Sequence, residues 1–254
     1  METVLIVGAT GNIGVSTAIA ALRTKRNVLA VVRSEASAEK LFKHVGTRDG
    51  ITTVQADVTS DQGVQGVVDQ VRAGKLPAFQ HVYSCVGGDY VNTPLTKIST
   101  EYLRQQMNRS FETNFFAYRA TLPYLLEQNN PNSTWTLCTG AQGDMGNFAM
   151  PAMTQGALFS MAAAAAVETK GTNVRFNEVY LAFRVEVDED AAQHDYASRA
   201  SDFAAVYEGL LARPDIQGAR VNVFSEADFK EFKVVQKGLN LGGEDSSKVS
   251  YQRS

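Results

Sequence analysis

The stretch TVLIVGATGNIGVSTAIAALRTKRN, residues 3–27, constrains this chain most. A continuous apolar run breaks at glycines and gives way to small and apolar residues at helical spacing, which predicts strand, tight turn and helix. An uninterrupted apolar strand is one buried on both faces, as in a parallel sheet covered by helices. The order then repeats. VLAVVR, ITTVQAD and FQHVYSCVGG read as strands, with ASAEKLFKHV and SDQGVQGVVDQVRAG as the helices between them. Such alternation predicts an α/β fold, a single-domain, Rossmann-type doubly wound parallel sheet.

Further on, residues 100–128 read as one long helix with a bend expected near Pro123, STWTLCTG as a strand, and residues 151–170 as a second long helix. NVRFNEVYLAF gives another strand, ASRASDFAAVYEGLLA a helix, and ARVNVF the last strand. At 254 residues the chain accommodates one such domain, assigned to residues 1–237. The polar, Gly- and Ser-rich stretch at 238–254 reads as a flexible tail.

The net charge of −3 and the 20% charged fraction leave no cationic excess for nucleic acid or anionic lipid. The chain enters its first apolar run directly after Met1-Glu2, with no room for a signal peptide, so a cytoplasmic location is expected. The longest apolar stretch, ALFSMAAAAAV, falls short of the roughly 18 residues that suggest a membrane span. Cys85 and Cys138 each close an apolar run and read as buried reduced thiols, and no metal-ligand cluster accompanies them.

GATGNIG places Gly8, Thr10, Gly11, Asn12, Ile13 and Gly14 between the first strand and the first helix. Glycines there allow a pyrophosphate to approach the backbone, and the helix N-terminus supplies free N–H groups and a positive dipole end. A structural turn is the competing explanation. At the end of the second strand, Arg33 and Ser34 offer a cation and a hydroxyl to a 2′-phosphate where a carboxylate would favour the free ribose, so NADP(H) is expected over NAD(H). Asp57 and Val58, after the third strand, suit an adenine edge, with helix capping by Asp57 as the alternative.

These motifs together resemble the short-chain dehydrogenase/reductase family over about residues 3–233. GATGNIG is similar to its glycine motif and ADV to its adenine-site motif. SCVGG, with Gly87, stands where the family has Asn-Asn-Ala-Gly, and Asn114 matches the family's structural and catalytic Asn. The resemblance breaks at the chemistry. Alignment puts Pro151 at the family's catalytic Tyr, Gln155 at its Lys and Cys138 at its Ser. No Tyr lies between Tyr124 and Tyr180, and Lys170 is the only Lys there.

Hydride addition to a neutral carbonyl develops an alkoxide and needs a proton donor, which contributes about 10²- to 10⁴-fold. Addition to an iminium neutralises a charge already present and needs none. A cationic site instead calls for a carboxylate and a hydrogen-bonding fork. Asp144, in the loop after the strand ending at Cys138, and Arg109, on the long helix before Asn114, are the expected pair in one cleft. Asp89 is a further candidate, and Tyr90 or Tyr180 could supply a phenol from a new position. His194, in the acidic segment EVDEDAAQHDY, reads as loop surface.

The pattern is similar to a small fungal branch of the family, the bifunctional reductase/Diels-Alderases of paraherquamide- and malbrancheamide-type indole alkaloid biosynthesis. That resemblance implies a prenylated indole iminium substrate, reduction coupled to cycloaddition, Arg109 and Asp144 as the essential pair, and an apolar cleft drawing on Phe148, Phe183, Trp135 and MGNFAMPAM. The wider family implies a homo-oligomer pairing the alanine-rich helix 157–167. Two other readings stand beside it: a dinucleotide-binding pseudoenzyme or sensor, and a carbonyl reductase with a substitute acid.

Overall fold

The computed structural model describes residues 1–238, so nearly all of the expected 238–254 tail lies outside the described residues. Strands β1 (Thr3–Val7), β2 (Asn27–Val32), β3 (Ile51–Gln55), β4 (His81–Ser84), β5 (Thr134–Gly140), β6 (Arg175–Leu181), β9 (Ala219–Val223) and β10 (Lys233–Gln236) form one sheet in the order β10-β9-β6-β5-β4-β1-β2-β3. Every pairing in it is parallel except β9 with β10. Two short strands, β7 (Arg184–Glu186) and β8 (Ala197–Arg199), pair separately. The helices are α1 (Asn12–Arg23), α2 (Glu35–Val45), α3 (Gly63–Arg72), α4 (Thr100–Met107), α5 (Thr113–Gln128), α6 (Gln142–Met145), α7 (Ala149–Glu168), α8 (Asp188–Ala191) and α9 (Ala200–Ala212).

The doubly wound sheet follows from the alternation of residues along each strand. Val4 and Ile6 of β1 point into the core beneath α1 and α9, while Leu5 and Val7 point into the core beneath α3, α5 and α7. Each such side chain contributes roughly 1.5–3 kcal/mol on burial, so both faces must be covered. Local signals set element ends. Ser34 caps α2 by accepting from the Ser37 amide at 3.3 Å, and Gly46 closes that helix at φ +83°.

Four expectations are corrected. The segment 100–128 is not a single α-helix bent at Pro123. Pro123 lies inside the continuous helix α5, and the segment is interrupted by a π-helical turn at Asn108–Glu112. The cause is side-chain competition for backbone carbonyls: Thr113 Oγ1 donates to Asn108 O at 2.9 Å, and Asn114 Nδ2 to Ser110 O at 2.6 Å. Second, ARVNVF is not the last strand. KVVQ adds an exposed antiparallel edge whose polar, short sequence carries no burial signal. Third, residues 197–199 open the ninth helical segment as β8 rather than as helix.

Fourth, α7 is long and apolar enough to cross a membrane by length and composition, with a mean hydropathy of 1.2, which the shorter apolar run did not suggest. Half of that stretch is buried within the protein, with Leu158, Ala162, Ala165 and Ala166 against the sheet.

Candidate active site

The phosphate turn is built as a close approach. Gly8 has φ +93°, a conformation that favours glycine, and the Gly11 amide donates to Gly8 O at 3.1 Å. A Cβ on Gly14 would stand 2.2 Å from Gly8 O, so only glycine lets α1 start against the turn. Gly11 is the N-cap of α1 and offers no capping side chain. Asn12 is tied through its side-chain amide to Val185 O at 3.0 Å. The first-turn amides of Asn12, Ile13 and Gly14 are thereby left for an anion, and the adjoining Thr10 is half-buried.

Around this turn the other expected cofactor residues divide. Arg33 is exposed at the end of β2 and, among the described residues, donates to no protein acceptor. It fits a 2′-phosphate held at the α2 N-terminus. Ser34 is engaged as the α2 cap. Asp57 accepts from the Thr59 amide at 2.9 Å and the Thr59 hydroxyl at 2.7 Å, a turn role that lowers its carboxyl. Val58 packs against the sheet's core, and the space before Gly87 is open.

Asn114 is fully buried and welds the π turn to the end of β4. It accepts from Ser84 Oγ at 2.7 Å and the Val86 amide at 3.3 Å, and donates to Val86 O at 2.8 Å as well as to Ser110 O. Those four bonds exhaust its amide, so its part is to hold the cleft wall in place. The same junction forces a glycine next to it: a Cβ on Gly88 would meet Ser110 Oγ at 2.3 Å and Gln106 Oε1 at 2.7 Å.

The expected meeting of Arg109 and Asp144 is replaced by two separate pairs. Arg109 Nη1 donates to both oxygens of Asp89 at 2.9 Å. Asp144 on α6 lies 3.7 Å from Arg220 on β9 and beside Tyr180. The reason is topological: the π turn faces the loop after β4, whereas α6 faces β6 and β9. Both Arg109 and Asp89 are about half exposed at 47%, so their pair contributes at most about 1 kcal/mol and is readily displaced.

Tyr180 is pushed up to about 12, by burial first and then by Asp144. Arg220 belongs to a buried network with no counterpart in the sequence reading. It binds Glu178, which also accepts from Thr139 Oγ1 at 2.7 Å and pairs with Lys237 at 2.9 Å. A lone Glu in the apolar run VRFNEVYL was the signal available.

A small cavity is lined by Gly88, Asp89, Tyr90, Gln106, Ser110, Pro151, Thr154 and Gln155. It therefore adjoins both positions where the sequence lacks the expected Tyr and Lys. Gln155 is spent on the backbone, accepting from the Gly140 amide at 2.7 Å. Burial pushes the Cys138 thiol up to about 12, so it is no nucleophile at neutral pH. The expected apolar lining is partly wrong. Trp135 is sealed in the core with its Nε1 donating to Thr121, and Phe183 packs on Phe229, but Phe148 meets Tyr90 edge-on at 5.8 Å. His194 lies, as expected, in a partly exposed loop, between α8 and β8, where its Nδ1 is 2.6 Å from Glu186.

The pattern of the short chain dehydrogenase family matches residues 2–193. The chain belongs to the short-chain dehydrogenase/reductase family. It is 58% identical over 242 residues to the short-chain dehydrogenase/reductase iacG of Pestalotiopsis fici, covering 94% of this chain and 97% of that one. Its fold is similar to a short-chain dehydrogenase/reductase from Brucella melitensis, with TM-score 0.72, 21% identity and coverage of 87% and 94% of the two chains. It is also similar to ElxO with NADP bound, with TM-score 0.75, 17% identity and coverage of 87% and 96%. Membership in this family makes the chain an oxidoreductase of the nicotinamide-dependent, Rossmann-type class. The residues of the glycine turn fit that cofactor.

Proposed function

We propose that this chain is an NADP(H)-dependent reductase of a small-molecule electrophile that works without the family's Tyr/Lys pair. The observation that carries this reading is the turn at Gly8–Gly14, closed so tightly that a Cβ on Gly14 would overlap Gly8 O, together with the exposed guanidinium of Arg33, which donates to no acceptor among the described residues. Thr10, Gly11, Asn12, Ile13 and Gly14 hold the pyrophosphate, Arg33 and Ser34 the 2′-phosphate, Asp57 and Val58 border the adenine, and Gly87 leaves room beside the strand end. When bound, NADPH supplies the hydride. Asn114 keeps the cleft wall fixed, and the cavity at Tyr90 and Gln155 receives the reacting group. The family implies a homo-oligomer, and the half-exposed face of α7, with Met153 and Val167, supports that reading.

A second reading keeps the cofactor and takes a cationic, iminium-type substrate of the prenylated indole class, with cycloaddition following reduction. Asp89 favours it, because this half-exposed carboxylate lines the cavity and its exposed pair with Arg109 is cheap to open. In that reading Arg109 orients the substrate, and Asp144 acts through Tyr180 and Arg220 rather than beside Arg109.

The test is NADPH consumption with a prenylated indole iminium and a panel of ketones and aldehydes in parallel. Consumption with ketones or aldehydes supports carbonyl reduction, and consumption with the iminium alone supports the second reading. Binding of NADPH with no consumption would move a cofactor-binding sensor into first place.

A further inference from the structure

We infer that Tyr90, on the loop after β4, is the proton donor of this enzyme and that its substrate carries a neutral carbonyl. The inference rests on the NADP(H) reading above and assigns the step that the missing Tyr and Lys leave open. Three observations carry it.

A Cβ built on Gly140, at the end of β5, would stand 3.6 Å from Tyr90 Oη and 3.8 Å from Gln155 Oε1. The phenol therefore reaches across from another loop to the strand end where Pro151 and Gln155 have displaced the usual pair. Tyr90 also lines the same cavity as those two residues, and so does Ser110. Ser110 is 1% exposed, and its hydroxyl has no hydrogen-bond partner among the described residues, a polar atom at the edge of that cavity. Finally, the Tyr90 ring is anchored edge-on against Phe148 while over half of its surface, 55%, stays open to incoming substrate.

The groups facing the phenol set its protonation. The Cys138 thiol from β5 and the Arg184 guanidinium from β7 act on it, and Asp89, paired with Arg109 of the π turn, is its neighbour in the chain. Burial, followed by Cys138, raises the phenol above its ordinary value, and Arg184 opposes that shift. A phenol at its ordinary value of about 10 is already protonated at neutral pH, the form an acid needs. A bound dihydronicotinamide would supply the hydride, its C–H bond breaking as one forms at the carbonyl carbon, and would be oxidised to the nicotinium. Tyr90 would give its hydroxyl proton to the oxygen that receives the C=O π pair, leaving the alcohol, and the phenolate would recover its proton from solvent.

The test compares the wild-type chain with Tyr90→Phe in an alkaline absorbance titration of tyrosine, with and without saturating NADP⁺, alongside NADP⁺ affinity across the same pH range. A nicotinium beside the phenol lowers its titration midpoint by about one unit or more. NADP⁺ then binds roughly tenfold more tightly above that midpoint than below it in the wild type, and with no such rise in Tyr90→Phe. With the ketone and aldehyde panel, Tyr90→Phe loses about 10²-fold or more in turnover while NADP⁺ affinity at neutral pH is kept. If NADP⁺ binds but the Tyr90 titration does not move and affinity follows the same pH course in both proteins, the assignment is overturned and the cofactor reading survives. If NADP⁺ does not bind, the cofactor reading falls and takes the assignment with it.

Discussion

Arg220 grips Glu178 with a two-pronged bond, Nε and Nη2 each 3.0 Å from a carboxylate oxygen, although the Glu178 side chain is fully buried. The guanidinium also lies over the rings of Phe159 and Tyr180, at 4.2 and 4.6 Å from their centres. Removing one charge strands the other in a dry setting, which costs far more than the intact pair contributes. Glu178→Gln, which takes the carboxylate from Lys237 and leaves Arg220 only Asp144 at 3.7 Å, is expected to lower stability by about 3–5 kcal/mol. Urea denaturation measures this. A loss below about 1 kcal/mol would mean that water reaches the cluster.

The glycines predict opposite outcomes at two sites. Gly14→Ala drives a methyl into Gly8 O, and is expected to cost about 1–3 kcal/mol and to abolish NADPH binding. Gly66→Ala, inside α3 with nothing within 4 Å of the new Cβ, should instead add about 0.5–1 kcal/mol. Thermal unfolding of both variants, with and without NADPH, separates the two effects.

Arg33 makes a prediction about cofactor choice. Arg33→Ala should weaken NADPH by about tenfold or more and leave NADH unchanged, since one charge-assisted contact to a phosphate is worth about 1.5–3 kcal/mol. Fluorescence titration with both cofactors reads it. Equal losses for the two would place Arg33 away from the 2′-phosphate.

His81 sets an acid limit on stability. Burial lowers its pKa to about 4, outweighing the opposing pull of Glu2, and its Nδ1 meets Thr134 Oγ1 at 3.0 Å. The folded value lies below the ordinary His value of about 6.5, so the unfolded chain binds the proton first as pH falls. The stability held by neutral His81 is therefore complete above about pH 6.5 and is lost as pH drops toward 4, by on the order of 3 kcal/mol. Denaturation midpoints at stepped pH should fall in that window, and less steeply in His81→Asn. An unchanged slope would assign the acid sensitivity to other groups.

Ser110 offers a control on the cavity. Its hydroxyl is buried without a partner among the described residues, so Ser110→Ala should leave stability unchanged or slightly higher. If the cavity holds the reacting group, the same variant lowers turnover or raises KM for the accepted substrate. Loss of more than about 1 kcal/mol in denaturation would show instead that the hydroxyl is hydrogen-bonded within the fold.

Periodicity and glycine placement were enough to read the fold from sequence. An apolar β1, the Gly8–Gly14 turn and strand–helix alternation each report a local requirement: burial on both faces, φ above zero, or close backbone approach. That no Tyr is followed four residues later by a Lys anywhere in the chain is likewise a property of the sequence alone. Pairings were another matter. Sequence proximity to Asn114 and to the end of β5 suggested that Arg109 and Asp144 share a cleft, yet the π turn aims Arg109 at Asp89 while the parallel crossover brings Arg220 to Asp144. Glu178 reads as an oddity in an apolar strand until β9 and the segment after β10 deliver two cations to it. The position of Tyr90 beside Gly140 arises where the long loop after β4 folds back over the end of the neighbouring strand β5. Local propensity acts over a few residues and so is written along the chain, whereas a side chain's partner depends on how distant segments register across the sheet, which only the tertiary structure decides.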